Sequence, residues 1–198
     1  YRLYNEVADL KNMYKIMKSY YAQDGASFYA IGIPMLESVK LLKSGGMERE
    51  AEELLRYYEI HGEMLIKNGL CYPPHEVKYE QSIVAPAVNY LFQLYELTGK
   101  ILYLEEGKKQ LAVLVLFNGH QPDFHMYENA VRHWDGYWFG KYKNLGDTFP
   151  HYWSSLSGVA FREYEKITGE RSYGVKAENS LRGVLSMING DGSASCAY

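Results

Sequence analysis

Apolar residues recur at three- and four-residue intervals along most of the chain. Leu3, Val7, Leu10, Met13, Tyr14 and Met17 share one face of a helix over 3–22. The same periodicity predicts first helices over 28–43, 81–97 and 151–167 and second helices over 47–67, 102–117 and 172–188. No alternating run argues for a strand. Three apolar stretches end on one dipeptide: MLIKNG (64–69), LVLFNG (114–119) and LSMING (185–190). Asn-Gly after a periodic helix reads as a stop, because Gly tolerates the left-handed backbone that closes a last turn.

Upstream of the second and third stops the chain repeats itself. LYELTGKILYLEEGKKQL (94–111) aligns with YEKITGERSYGVKAENSL (164–181), so that Leu97, Thr98, Gly99, Tyr103 and Leu111 match Ile167, Thr168, Gly169, Tyr173 and Leu181 at a constant offset. A looser first copy runs through LLKSGGMEREAEELL (41–55). Each unit reads as helix, tight Gly turn, helix, Asn-Gly stop. The expected fold class is all-α, built from tandem αα-hairpins.

The connections are unequal. Gly turns inside hairpins are short, whereas the links over 70–80 and 120–150 are long. Alternate connections of a hairpin stack lie at opposite ends, so the long links share one rim with the N-termini of the first helices. Long links in a compact domain are usually functional or disordered, and the composition of the second argues against disorder. Together with the start of its helix it carries Trp134, Trp138 and Trp153 and four of the six histidines, His120, His125, His133 and His151.

Composition narrows the function. A formal net charge of -3 with no long run of one sign gives no electrostatic footprint for nucleic acid or anionic lipid. The longest apolar run, 111–117, is too short to span a bilayer. A soluble protein is expected, in a compartment the residues leave open. Cys71 and Cys196 make no disulfide framework and lack zinc spacing, so neither metal nor cofactor is implied. The 20 tyrosines combine apolar area with a hydrogen-bonding tip, which suits a half-wet cleft.

The stretch HQPDFHMYENAVRHWDGYWFGKYKNLGDTFPHYWSS (120–155) supplies carboxylates, imidazoles, Arg132 and flat aromatic faces. Sugars offer axial hydrogens to rings and hydroxyls to carboxylates and imidazoles, so the mixture fits an oligosaccharide cleft. Glycosidic cleavage needs a protonated acid near the leaving oxygen and a second group to activate water or attack the sugar. Asp135, between aromatics in HWDGYW, is the expected acid, since apolar neighbours raise a carboxyl pKa. Asp147, before a helix start, is the expected partner. His133 and His151 are further catalytic candidates, and Arg132, Trp134, Trp138, Tyr152, Trp153 and His125 are candidate substrate contacts. Each has a bland alternative. Asp135-Gly136 and Gly146-Asp147 are ordinary turn pairs, the histidines and tryptophans can pack the link onto the helices, and Arg132 can pair with Glu128 four residues earlier. Tyr57, Tyr58 and Tyr90 are expected in helix packing. Glu76 and Glu80 are weak site candidates, because exposed acids before a helix are common dipole partners.

Hairpins with short Gly turns on one side and aromatic, acidic links on the other resemble the six-hairpin (α/α)6 toroid of carbohydrate-active enzymes. HWDGYWFG followed by GDTFPHYWSSLSGVAF is similar to the cleft-forming segments of six-hairpin glycosidases, in particular the uronyl-hydrolase-like branch. The resemblance implies a glycoside hydrolase acting on an oligosaccharide, with uronate-bearing and neutral sugars both allowed, and with inner-rim carboxylates that transfer here to Asp135 and Asp147. A toroid needs six hairpins and this chain holds three with one helix before them. The expectation is therefore a single α/α-toroid domain over 1–198 that is incomplete, its remainder or a second copy covering the apolar face a half-toroid would expose. Three other functions stay open: a polysaccharide lyase on the same fold, using His133, His151 or Tyr152 with Arg132 opposite a uronate carboxylate, a sugar epimerase on the same fold working through paired histidines, and a non-catalytic helical-repeat scaffold.

Overall fold

Among the described residues seven helices make up most of the backbone. The computed structural model describes residues 6–29, 32, 34–76, 80–118 and 153–195. In chain order the helices are α1 (Val7–Ala22), α2 (Met35–Ser44), α3 (Glu48–Asn68), α4 (Gln81–Thr98), α5 (Ile101–Val115), α6 (Ser154–Thr168) and α7 (Arg171–Leu185). Among the described residues the sole β feature is an isolated bridge between Ile188 and Ala194.

Successive helices pair as hairpins, α2 with α3, α4 with α5 and α6 with α7. The first helices also touch one another, α2 on α4 and α4 on α6, and so form an inner wall. The second helices lie outside it, with α1 against α3 as the outer helix before the first hairpin. This is an arc of tandem αα-hairpins, part of an (α/α) toroid. Helix α4 sits between two inner neighbours and its own outer partner, which explains why it is buried nearly all round, from Gln81 and Val84 to Leu91, Phe92 and Leu94.

The repeated Thr-Gly turns are superimposable in their chemistry. Gly99 and Gly169 close α4 and α6 in the left-handed region, at φ 69° and 77°, where a Cβ would be strained. Their N–H groups reach back to the carbonyls of Tyr95 at 2.8 Å and Glu165 at 2.7 Å. Thr98 and Thr168 each donate a hydroxyl to the carbonyl four residues earlier and accept the N–H two residues later. The sequence repeat is thus a repeat of hydrogen bonds.

Three boundaries differ from the periodicity reading. Helix α2 starts at Met35 and not at 28, because a residue before Pro34 is disfavoured in the helical region and the backbone at Phe28 and Tyr29 is hydrogen-bonded to side chains elsewhere. Only the first Asn-Gly ends its helix, at Asn68 and Gly69. Helix α5 tightens into a 3-10 turn over Leu116–Asn118, where the buried Asn118 donates Nδ2 to Ser180 Oγ at 3.1 Å, a bond between hairpins. Helix α7 stops at Leu185, and Asn189 instead closes a small loop whose N–H donates to the Ser193 carbonyl.

Candidate functional site

The topology puts the C-termini of α1, α3, α5 and α7 and the N-termini of α2, α4 and α6 at one end of the arc. The Gly turns occupy the other. The described helix ends that flank the long links therefore share one rim.

Most of the residues singled out from the sequence, namely His125, Arg132, His133, Trp134, Asp135, Trp138, Asp147, His151 and Tyr152, lie outside the described residues. Trp153 is described. It is half-buried immediately before α6, and its carbonyl accepts the Leu156 N–H at 2.9 Å in the first turn. Beside it the first turns of two inner helices are clasped: Gln81, fully buried at the start of α4, donates Nε2 to Ser157 Oγ of α6 at 2.9 Å. The Gln81 Oε1 has no partner among the described residues.

The other part of the rim is built from links the sequence reading left largely unused. After α1 the chain makes a 3-10 turn at Gly25–Ser27, is extended at Phe28 and bends at Tyr29. The link after α3, described over 69–76, holds this segment in place. Tyr29 donates its N–H to Glu76 Oε1 at 2.6 Å and its hydroxyl to the Gly69 carbonyl at 2.7 Å, and His75 Nε2 lies 3.1 Å from the Ser27 carbonyl. Glu76 thus serves a backbone N–H of another link and not its own helix. Glu80 is 3 % exposed, so the expected solvated dipole partner is in fact buried.

Behind the segment lies a polar network in the core. His61 of α3 is fully buried, with Nε2 2.7 Å from the Phe28 carbonyl and Nδ1 3.1 Å from Tyr21 Oη. Tyr21 and Tyr90 hydroxyls are 2.7 Å apart. The directions follow from what each atom can do. A carbonyl only accepts, so Nε2 carries the proton. Burial pushes the imidazole down to about 4, which keeps the ring neutral and Nδ1 bare. Tyr21 therefore donates to His61 and accepts from Tyr90 at 2.7 Å, and the Tyr58 carbonyl, 3.3 Å from Tyr90 Oη, is a second and more distant acceptor for the Tyr90 proton. Burial raises the Tyr21 and Tyr90 phenols far above their ordinary value and the Tyr58 phenol to about 12, so the network is uncharged at neutral pH. Tyr58 and Tyr90 are core residues, as expected, but polar contacts as much as apolar ones hold them. The periodic pattern concealed His61, since a lone imidazole on an apolar helix face carries no signature of partners forty residues away.

Among the described residues no three His, Cys, Asp or Glu side chains converge on a point that could hold a metal ion, and no helix is long and apolar enough to cross a membrane. Cys71 is an exposed free thiol.

The chain matches no protein-family profile and no curated protein. It is similar to a solved polysaccharide lyase, with 49% identity and a TM-score of 0.87. The match covers 100% of this chain and 30% of the solved one, so the chain spans under a third of that protein's length.

Proposed function

We propose that the chain is a section of a polysaccharide lyase that cleaves a uronate-containing polymer by β-elimination. The observation that carries this reading is the likeness, along the whole chain, to a polysaccharide lyase at 49% identity. It favours a lyase over the hydrolase that the cleft motifs suggest by resemblance. In the reaction a base removes the proton next to the uronate carboxylate, the bond to the leaving glycosidic oxygen breaks, a carbon–carbon double bond forms in the ring, and the leaving oxygen gains a proton. Such a step needs a proton acceptor, a proton donor and a cation facing the carboxylate. His133, His151 and Tyr152 are the residues proposed to move the proton, and Arg132 the one to face the carboxylate, with His125, Trp134, Trp138 and Trp153 against the sugars. Residues 1–198 form one stretch of a toroid domain whose cleft is completed by further hairpins or by a second copy. The coverage of 30% of the solved lyase and the exposed Leu181, Leu185 and Ile188 at the α7 edge support this.

The test follows the ultraviolet absorbance of the unsaturated uronate while the full-length protein meets alginate, polygalacturonate, hyaluronan and chondroitin sulfate. A rise on one of them is expected, and Asp135→Asn should leave most of it. New reducing ends without a rise, abolished by Asp135→Asn, would overturn the lyase in favour of hydrolysis with Asp135 and Asp147 as the carboxylate pair.

A further inference from the structure

The segment between α1 and α2 presents two neighbouring aromatics in opposite ways. Tyr29 is fully buried, whereas Phe28 is 43% exposed and takes no part in the core. A single exposed apolar side chain is ordinary on a protein surface. Phe28 differs in being held rigidly. Its carbonyl accepts from the buried His61, the preceding carbonyl lies 3.1 Å from His75 Nε2, and the following N–H is taken by Glu76. The ring is backed by one other, the imidazole of the exposed His75, with centroids 5.3 Å apart and planes at 65°. With Nε2 donating to Ser27, His75 Nδ1 is left as an acceptor without a partner among the described residues.

An apolar ring face beside an imidazole acceptor, both fixed before any ligand arrives, matches a sugar ring. The C–H face of a pyranose lies on the aromatic ring and a hydroxyl donates to the acceptor. Little ordering is left to be done on binding, which is where much affinity is otherwise lost. The pair lies at the rim end of the arc, just after the outer helices α1 and α3, with α4 between it and the start of α6 where Trp153 stands.

Building on the lyase reading, we propose that Phe28 and His75 form an outlying saccharide-stacking subsite that holds a polymer away from the bond being broken. Such a subsite serves long chains and is out of reach of short ones.

The experiment compares KM and kcat of the full-length protein on whichever of alginate, polygalacturonate, hyaluronan and chondroitin sulfate it cleaves, as polymer and as tetrasaccharide. Phe28→Ala is expected to raise KM for polymer about tenfold, the equivalent of one good contact, with a much smaller change on the tetrasaccharide. Phe28→Trp should restore polymer KM, and His75→Ala should give a lesser rise. Ile16→Ala, which removes a 70% exposed side chain on α1, is the control expected to leave polymer KM unchanged. Equal KM for Phe28→Ala and wild type on polymer overturns the subsite and leaves the lyase standing. An equal rise on both lengths with a lowered melting temperature also overturns it, in favour of a structural role. If the wild type cleaves none of the four, the lyase reading fails. The subsite is then judged by retardation in gels containing the same polysaccharides: dependence on Phe28 upholds it, and no retardation of wild type overturns it.

Discussion

Helix α4 divides the interior into two unlike halves. Toward α1 and α3 it presents Tyr90, whose hydroxyl joins a row of phenols and one imidazole. Toward α5 and α6 it presents Leu91 and Phe92, which lie against Gly107 and the Tyr164 ring. Both halves are built from the same kind of hairpin and both are buried, so that wet and dry describe only the polarity of their filling. The difference tracks the rim. Where a link dips inward and offers the Phe28 carbonyl to the core, the core must answer with a donor, and burying that donor requires further partners behind it. Where tight Thr-Gly turns join α4 to α5 and α6 to α7, the helices satisfy their own backbone and the middle of the filling is apolar, its buried polar pairs, Gln81 with Ser157 and Asn118 with Ser180, being single bonds between side chains and not a row.

The dry half should be the more fragile toward lost volume. Phe92→Ala removes a fully buried ring, and urea denaturation should show a loss of about 4 kcal/mol. A loss below about 1 kcal/mol would mean that the α4–α5–α6 contact collapses onto the cavity. The wet half should be the one that responds to acid. His61 has its pKa depressed to about 4 in the fold, against 6.5 when unfolded. Between those values the unfolded chain binds a proton that the folded chain excludes, so stability is complete above about pH 6.5, falls as the pH drops toward 4, and is flat in this respect below it. The loss is about 3 kcal/mol in all. His61→Gln, which hydrogen-bonds without titrating, should flatten that part of the profile, and an unchanged slope would assign the acid sensitivity to other groups. Gly99→Ala and Gly169→Ala sharpen the comparison from the edge of the dry half, since an added Cβ meets no packed atom at either turn. Each should cost about 1 kcal/mol for a side chain at positive φ, and the two shifts in melting temperature should match because the two turns share their hydrogen bonds.

The dry half was the legible one. Helical spacing located α4 to within a residue and α5 within two, and the repeated Thr-Gly marked both turns, because these features are local and each residue's role is set by neighbours three or four positions away. The wet half was not legible. Nothing near His61 in the sequence announces Phe28 or Tyr21, and the late start of α2 follows from backbone groups committed to Glu76 and His61 across the fold. The Asn-Gly rule held at Asn68 and was displaced at Asn118, whose amide was drawn into a bond with Ser180. The chemistry assigned to the rim from 120–155 rests on residue type and resemblance, and of those residues Trp153 is the substrate-contact candidate that the described structure includes.

The row of donors from Tyr90 through Tyr21 to His61 ends on a carbonyl belonging to the surface link. A backbone oxygen has no second role to exchange into, so the row has a single sense, like a ratchet cut in one direction. The link is in effect surveyed from the middle of the molecule. Its position is referenced to α4 of the inner wall through that row of three hydrogen bonds as well as to the neighbouring link through Glu76, Gly69 and His75, so that stretch of rim inherits the stiffness of the interior.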